Sequence, residues 1–399
     1  VRCNPCLGIP SDRSQVMEFP RQVGFCALIL FVCGCPGDDS DSSQPNHVTN
    51  APDELQTQWQ IQPSLKYDAL CFVNTLTGDP FYLQYYSQEF AYFEPKLDSV
   101  TTAALANLKR QLKDEQGLIL SASLALLFSA TDGETLSDLI TTVEDSGDLQ
   151  EGFMTSPYYS DGAWTIYEMV RPDLLTIFQF LHAAGFSEYW TDQVEPRVLR
   201  RIDELGPDIR QFDVVAEVER GLGQPLASDT ITVFMLYFSQ PHGIKITGTR
   251  FLTDIAWDAS NLLHTAVHEM MHPPYSYSSD EELRAALETL QQDPFLMDKV
   301  EHHDPAYGYN SFEGYVEENV VRALSHLLTE RLRGDIDHSH YGMKQADGGM
   351  HVLMAALYSL MLDEDYNSKG ELVRDFLIRV IEAGALDPGQ IEARYNALE

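Results

Sequence analysis

Five consecutive residues carry the chain's clearest chemistry: His268-Glu269-Met270-Met271-His272. The two histidines are four apart. On a helix that spacing stacks their imidazoles on one face, a turn apart. Two ring nitrogens so placed converge on one zinc ion at about 2.0–2.1 Å. Glu269 follows His268 directly and is angled toward the open side of the ion. There a carboxylate takes a proton from metal-activated water and later delivers it to a leaving amine. His264 extends the series by one more turn, but it stands about 12 Å along the axis from His272. It is expected to cap the helix or support a ligand, not to join the same ion.

The elements around this segment must hold it rigidly. Residues 259–272 read as a helix that Pro273 and Pro274 stop at once. Before it, Thr230 to Phe238 (TITVFMLYF) is β-branched and aromatic, the signature of a buried strand. Ile244 to Ile255 reads as a second strand, bent at Gly248, and the two are expected to pair as an antiparallel hairpin. Both flanks of this small sheet read as helical. Upstream, helices are expected around Tyr67–Thr75, from an Asp98 or Ser99 cap, over Leu118–Phe128, and at Asp173–His182, Pro196–Leu205 and Val214–Leu222. Downstream they are expected at Asp280–Gln292, Phe312–Arg333, His351–Leu362 and Glu371–Ala383. The expected class is α+β, mostly helical, with a small antiparallel sheet before the helix that carries the chemistry. No Gly-rich phosphate loop and no GxSxG elbow is visible.

A catalytic zinc needs a third protein ligand and one open position. In Phe312–Arg333 the apolar face is set by Val316, Val320, Val321, Leu324, Leu327 and Leu328. Glu317 lies nearer the middle of that face than Glu318, so helical phase leaves both open. Asp304 is a further alternative. Asp304-Pro305-Ala306-Tyr307-Gly308 is similar to the Asp-x-x-Tyr-Gly half of an aspzincin motif, although His302 and His303 stand where that motif has Gly-Thr. Arg322, one turn beyond Glu318, is placed to hold its carboxylate. Asp337-His338-Ser339-His340-Tyr341 is the downstream cluster richest in donors, which makes His340 and Tyr341 candidates to steady a developing oxyanion.

His268–His272 has the HExxH form of zinc peptidases. Together with Ala306-Tyr307-Gly308 and Glu318-Asn319-Val320-Val321-Arg322-Ala323, it resembles a family of uncharacterised bacterial secreted gluzincin-like proteins. Their sequences read HExxH, then Tyr-Gly, then Glu-x-x-x-Arg-Ala. The stretch Tyr67 to Phe93 is also similar to the start of that domain, so the likeness spans roughly residues 65–390. It implies a gluzincin fold, one zinc ion held by His268, His272 and Glu318, and a peptidase acting on peptides or proteins. It brings no substrate.

Composition narrows the setting. The 399 residues carry a formal charge of −35, which repels nucleic-acid phosphates and anionic headgroups. Five of the six cysteines lie within the first 35 residues, leaving Cys71 alone in the body, so no disulfide framework holds the folded part. From Met17 onward the chain reads as an export signal: Arg21, then an apolar run over Val23–Val32 that is too short to span a bilayer. Val32-Cys33-Gly34-Cys35 resembles a lipobox, with Cys35 as the lipid anchor, and a cleaved signal with free secretion is the alternative. The expected organisation is an upstream extension and signal over 1–34, a flexible tether over 35–62, a helical part over 63–228 and a catalytic part over 229–399. The last two are allowed to form one domain. The expected location is the cell envelope, touching the membrane only through the lipid.

Overall fold

A computed structural model describes the backbone of residues 29–31 and residues 55–304, 307–334, 341–367 and 370–398. Most of it is helical, and a small mixed sheet completes an α+β fold. Among the described residues no helix is long and apolar enough to cross a membrane. Cys35, most of the expected signal segment and the expected tether up to residue 54 lie outside the described residues.

The strands are β1 (Ile29–Phe31), β2 (Gln58–Gln62), β3 (Thr230–Leu236), β4 (His242–Lys245) and β5 (Arg250–Asp254), in the order β1-β4-β5-β3-β2. β2, β3 and β5 run parallel, while β4 is antiparallel to β5 and β1 is antiparallel to β4. This corrects the expected antiparallel sheet in two ways. Ile244–Ile255 is two strands, not one, and the hairpin turns at Thr247-Gly248 inside it. β3 pairs in parallel with β5, with Val233 opposite Phe251, and β4 lies beyond β5. The physical reason was present in the composition of β3. A near-continuous apolar run suits a strand covered on both faces, which is how parallel strands read. Gln58–Gln62 is a second correction, because the end of the expected tether is the edge strand β2. Its Trp59 Nε1 donates to the Phe212 carbonyl at 3.1 Å, and Thr57 just before it is tied to Asp213 by two hydrogen bonds of 2.7 and 2.9 Å.

Three helices position the chemistry. The motif helix (Ala259–Met270) is two residues shorter than the expected 259–272 and leaves His272 just beyond its end, because the residue before a proline is kept out of the helical conformation. It starts where Asp258 accepts a hydrogen bond from the Asn261 amide at 2.8 Å. It packs against β4, β5 and the helix Phe312–Arg333. Gly243 permits the close approach of β4: a Cβ there would stand 2.8 Å from Thr265 Cγ2 and 3.2 Å from the Trp257 ring. The glutamate helix (Phe312–Arg333) is capped by Ser311, which accepts from the Gly314 amide at 3.1 Å, and it ends at Gly334 in the left-handed conformation at φ 72°. It is long because its whole middle is buried, from Gly314 to Ser325. Behind it packs the backing helix (Val352–Asp363), where Asn319 Oδ1 accepts from the Met354 amide at 2.8 Å. Burying the apolar sides of these helices stabilises each fully covered Leu or Val by about 1.5–3 kcal/mol, enough to hold charged side chains among them.

Candidate metal centre

The motif helix and the glutamate helix bring His268, His272 and Glu318 together. Among the described residues this is the one group of three metal-ligating side chains whose donor atoms meet. The two Nε2 atoms are 3.0 Å apart, and each is 3.6 Å from Glu318 Oε2. Atoms at these separations share a point about 2.0 Å from all three, which is the length of zinc–nitrogen and zinc–oxygen bonds. Ligand atoms around a tetrahedral zinc stand about 3.3 Å from one another, so the triangle also has the right size.

The electrostatics agree. Burial holds the pKa values of both imidazoles well below their ordinary value, and for His268 the neighbouring His272 and Arg322 add to the effect. Neutral imidazoles present lone pairs, the form that binds metal. With both Nε2 atoms unprotonated, two lone pairs and a carboxylate oxygen would face one another, an arrangement that a cation between them satisfies. Glu318 Oε2 has no hydrogen-bond donor, although the residue is only 1% exposed. A divalent cation therefore fits the residues present.

Supporting groups complete the centre. Glu317 lies outside the cluster: its Oε1 is 3.3 Å from Nδ1 of His272, the back of the ring, a position from which a carboxylate can orient an imidazole. Arg322 Nε donates to Glu318 Oε1 at 2.5 Å, and its Nη2 lies 2.7 Å from Asp347 Oδ2. Asp347 in turn meets His351 Nε2 at 2.8 Å. Tyr309 hydrogen-bonds Glu318 and, with Arg322, opposes the rise that burial imposes on the Glu318 pKa. Tyr309 and Asp347 both have left-handed backbone, at φ 56° and 49°. That conformation costs an L-residue about 1–2 kcal/mol; Asp365 and Asn367 share it elsewhere, while Tyr309 and Asp347 have it at the Glu318 network.

Glu269 is wholly buried and neither carboxylate oxygen has a hydrogen-bond donor. Burial raises its pKa, Lys245 pulls it down, and Glu318 pushes it up again. Lys245 is itself buried in β4, and its Nζ donates to the Gly248 carbonyl at 2.8 Å.

Other expected residues stand elsewhere. Asp304 is exposed and outside the cluster. His264 faces the glutamate helix, with Nδ1 3.3 Å from Thr329 Oγ1. His340 lies outside the described residues, and of Tyr341 only the helical backbone is described.

Four residues of the site were not singled out from sequence: Tyr309, Asp347, His351 and Lys245. Two had a signal. Asp347 and His351 are four apart, the same spacing that marks His268 and His272. Lys245 is a charge inside an apolar strand, between Ile244 and Ile246. Tyr309 had none, since only the fold returns the loop before the glutamate helix to Glu318. Compared with known proteins, the chain matches no protein-family profile, no curated protein and no solved structure.

Proposed function

We propose that the chain is a zinc-dependent hydrolase of the gluzincin type, most simply a peptidase. His268, His272 and Glu318 hold the ion, and Glu269 is the general base and acid. The observation that carries the reading is the triangle of 3.0, 3.6 and 3.6 Å formed by two neutral imidazoles and one carboxylate oxygen without a donor. Zn2+ bound there supplies a Lewis acid that polarises a carbonyl and makes water acidic near neutral pH. Glu269 accepts the proton of the attacking water and passes it to the leaving amine. Its raised pKa suits both halves of that task, because a base poised near the working pH gives up its proton as readily as it takes one. Glu317 fixes the His272 ring, and Arg322 fixes Glu318 under tension from Asp347. Lys245, whose charge acts on Glu269 and His272, and Tyr309, which acts on Glu318, are the candidates to steady developing negative charge. The zincin-like fold, the lipid anchor at Cys35 and the cell-envelope location belong to the same proposal.

A second reading has one observation in its favour. His268 and Glu269 are 0% exposed, Glu318 1% and His272 5%, so the centre is closed to solvent. A closed centre also suits a module that keeps its metal for structure and binds without turnover. Zinc content and cleavage of a peptide library separate the two. The hydrolase reading expects purified protein to hold one zinc and to cleave peptides, and Glu269→Gln to keep the zinc and lose cleavage. No zinc in the purified protein, or no cleavage by zinc-loaded protein, defeats it. Reversible loss of cleavage on chelation and return of zinc is the companion test.

A further inference from the structure

A cleft of about 1010 Å³ lies beside the metal centre. Its floor includes Glu317, the side chain that touches His272, and one wall is the segment Pro273–Asp280 that follows His272 directly. One side chain therefore separates the cleft from the centre. The volume is at the upper end for a ligand site, with room for a peptide of several residues.

The lining is unbalanced in charge. Glu281, Glu313 and Glu317 line it, and among the described residues neither Glu281 nor Glu313 has a basic partner. Arg374 is the one cation in the lining, and it is already taken: its Nε is 2.6 Å from Asp280 and its Nη2 2.8 Å from Glu282, while Nη1 meets Asp375. The walls also carry Tyr158, Tyr159, Tyr275 and Tyr277. Aromatic faces attract ammonium and guanidinium groups by about 0.5–2 kcal/mol, and they do nothing comparable for carboxylates. Acid groups without cations and tyrosine rings are complementary to the same kind of side chain.

Resting on the hydrolase reading, we propose that this cleft is the substrate groove and that it selects peptides carrying lysine or arginine. Glu313 and Glu281 are then specificity-determining residues.

The test uses the zinc-loaded full chain with Glu269→Gln, so that binding is read without turnover. Three labelled heptapeptides share one sequence except for two positions, which are Lys, Gln or Glu. The lysine peptide is expected to bind at least about tenfold more tightly than the glutamine peptide, and the glutamate peptide more weakly still. The gap should shrink as salt rises from about 50 to 500 mM. Adding Glu313→Gln or Glu281→Gln should each cut the lysine preference by about threefold or more, with an unchanged melting curve, since both side chains are exposed. Equal affinity for the three peptides overturns the proposal, and so does a preference that both substitutions leave intact. Spermidine binding as tightly as the lysine peptide overturns the peptide part. The two readings fail separately. Cleavage of neutral and basic peptides alike by the unsubstituted protein sinks the groove's selectivity and leaves the hydrolase standing. Selective binding without any cleavage sinks the hydrolase and supports the groove.

Discussion

Two buried carboxylates, Asp68 and Glu269, differ in what surrounds them. Asp68 sits in the helix Leu65–Leu76 beneath a cluster of aromatic rings, with Phe72 packed on Phe93, Phe186 and Phe238 at 4.6–5.2 Å between centroids. Three donors serve it: Trp190 Nε1 at 2.8 Å and the Tyr237 and Phe238 amides at 2.9 and 2.8 Å. Glu269 is buried as completely and has none. The fold completes the first carboxylate by itself, so Asp68 is architecture that pins the end of β3 to a helix. The second has no hydrogen-bond donor and is left between the opposing influences of Lys245 and Glu318. A buried carboxyl group that the protein gives no donor is costly to keep, and its place next to potential ligands supports the proposed role of this centre.

This contrast is open to attack. The largest effect is expected from His272→Ala, which should lower zinc affinity by more than the roughly 10–100-fold that a supporting residue contributes, read by competition with a chelator. Asp68→Ala should do the opposite, costing about 3–5 kcal/mol in urea unfolding by orphaning three donors while leaving zinc affinity of the folded protein unchanged. If Asp68→Ala abolished zinc binding at full stability, the division between architecture and function would be wrong. Next come Glu317→Gln and Asp347→Asn, each expected to weaken zinc by about 10–100-fold with little change in unfolding free energy. Glu269→Gln should leave zinc affinity nearly unchanged and reduce cleavage by about 10²–10⁴-fold.

The smallest effect concerns pH. Burial pushes Asp254 up to about 7 from an ordinary value of 3.8, and Asp68 adds to the rise. Between those two values the folded state holds a proton that the unfolded state has released. Stability therefore falls as pH rises through that window and is flat beyond it. Asp254→Asn should reduce this slope in urea titrations without abolishing it, since burial raises Asp68 in the same direction, and an unchanged slope would refute the assignment.

Some of this was legible in the residues. Local periodicity and end signals suffice for helices: Asp98 and Ser311 each cap one where a capping residue precedes an apolar period, and Pro273-Pro274 halts the motif helix. The spacing of His268 and His272 pointed to a shared site, but the helix ends at Met270 and His272 stands just past it, so the turn into Pro273 as well as helical geometry brings the two rings together. Strand partners are not encoded in that way. The apolar run of β3 signals a strand covered on both faces, as parallel strands are, but not which strand lies beside it; the choice of β5 over β4 depended on packing across the whole sheet.

By itself, then, the sequence determined the motif helix, its paired imidazoles, the buried strand and the α+β class, all of which follow from contacts within a few residues. Tertiary structure alone decided that Glu318 turns its oxygen to both imidazoles while Glu317 backs His272, that Arg322 is drawn toward Asp347, and that Tyr309 and Lys245 border the centre. The reason is rotation: neighbouring side chains on a helix point about 100° apart, and only the angle at which two helices pack settles which of them meets the two imidazoles.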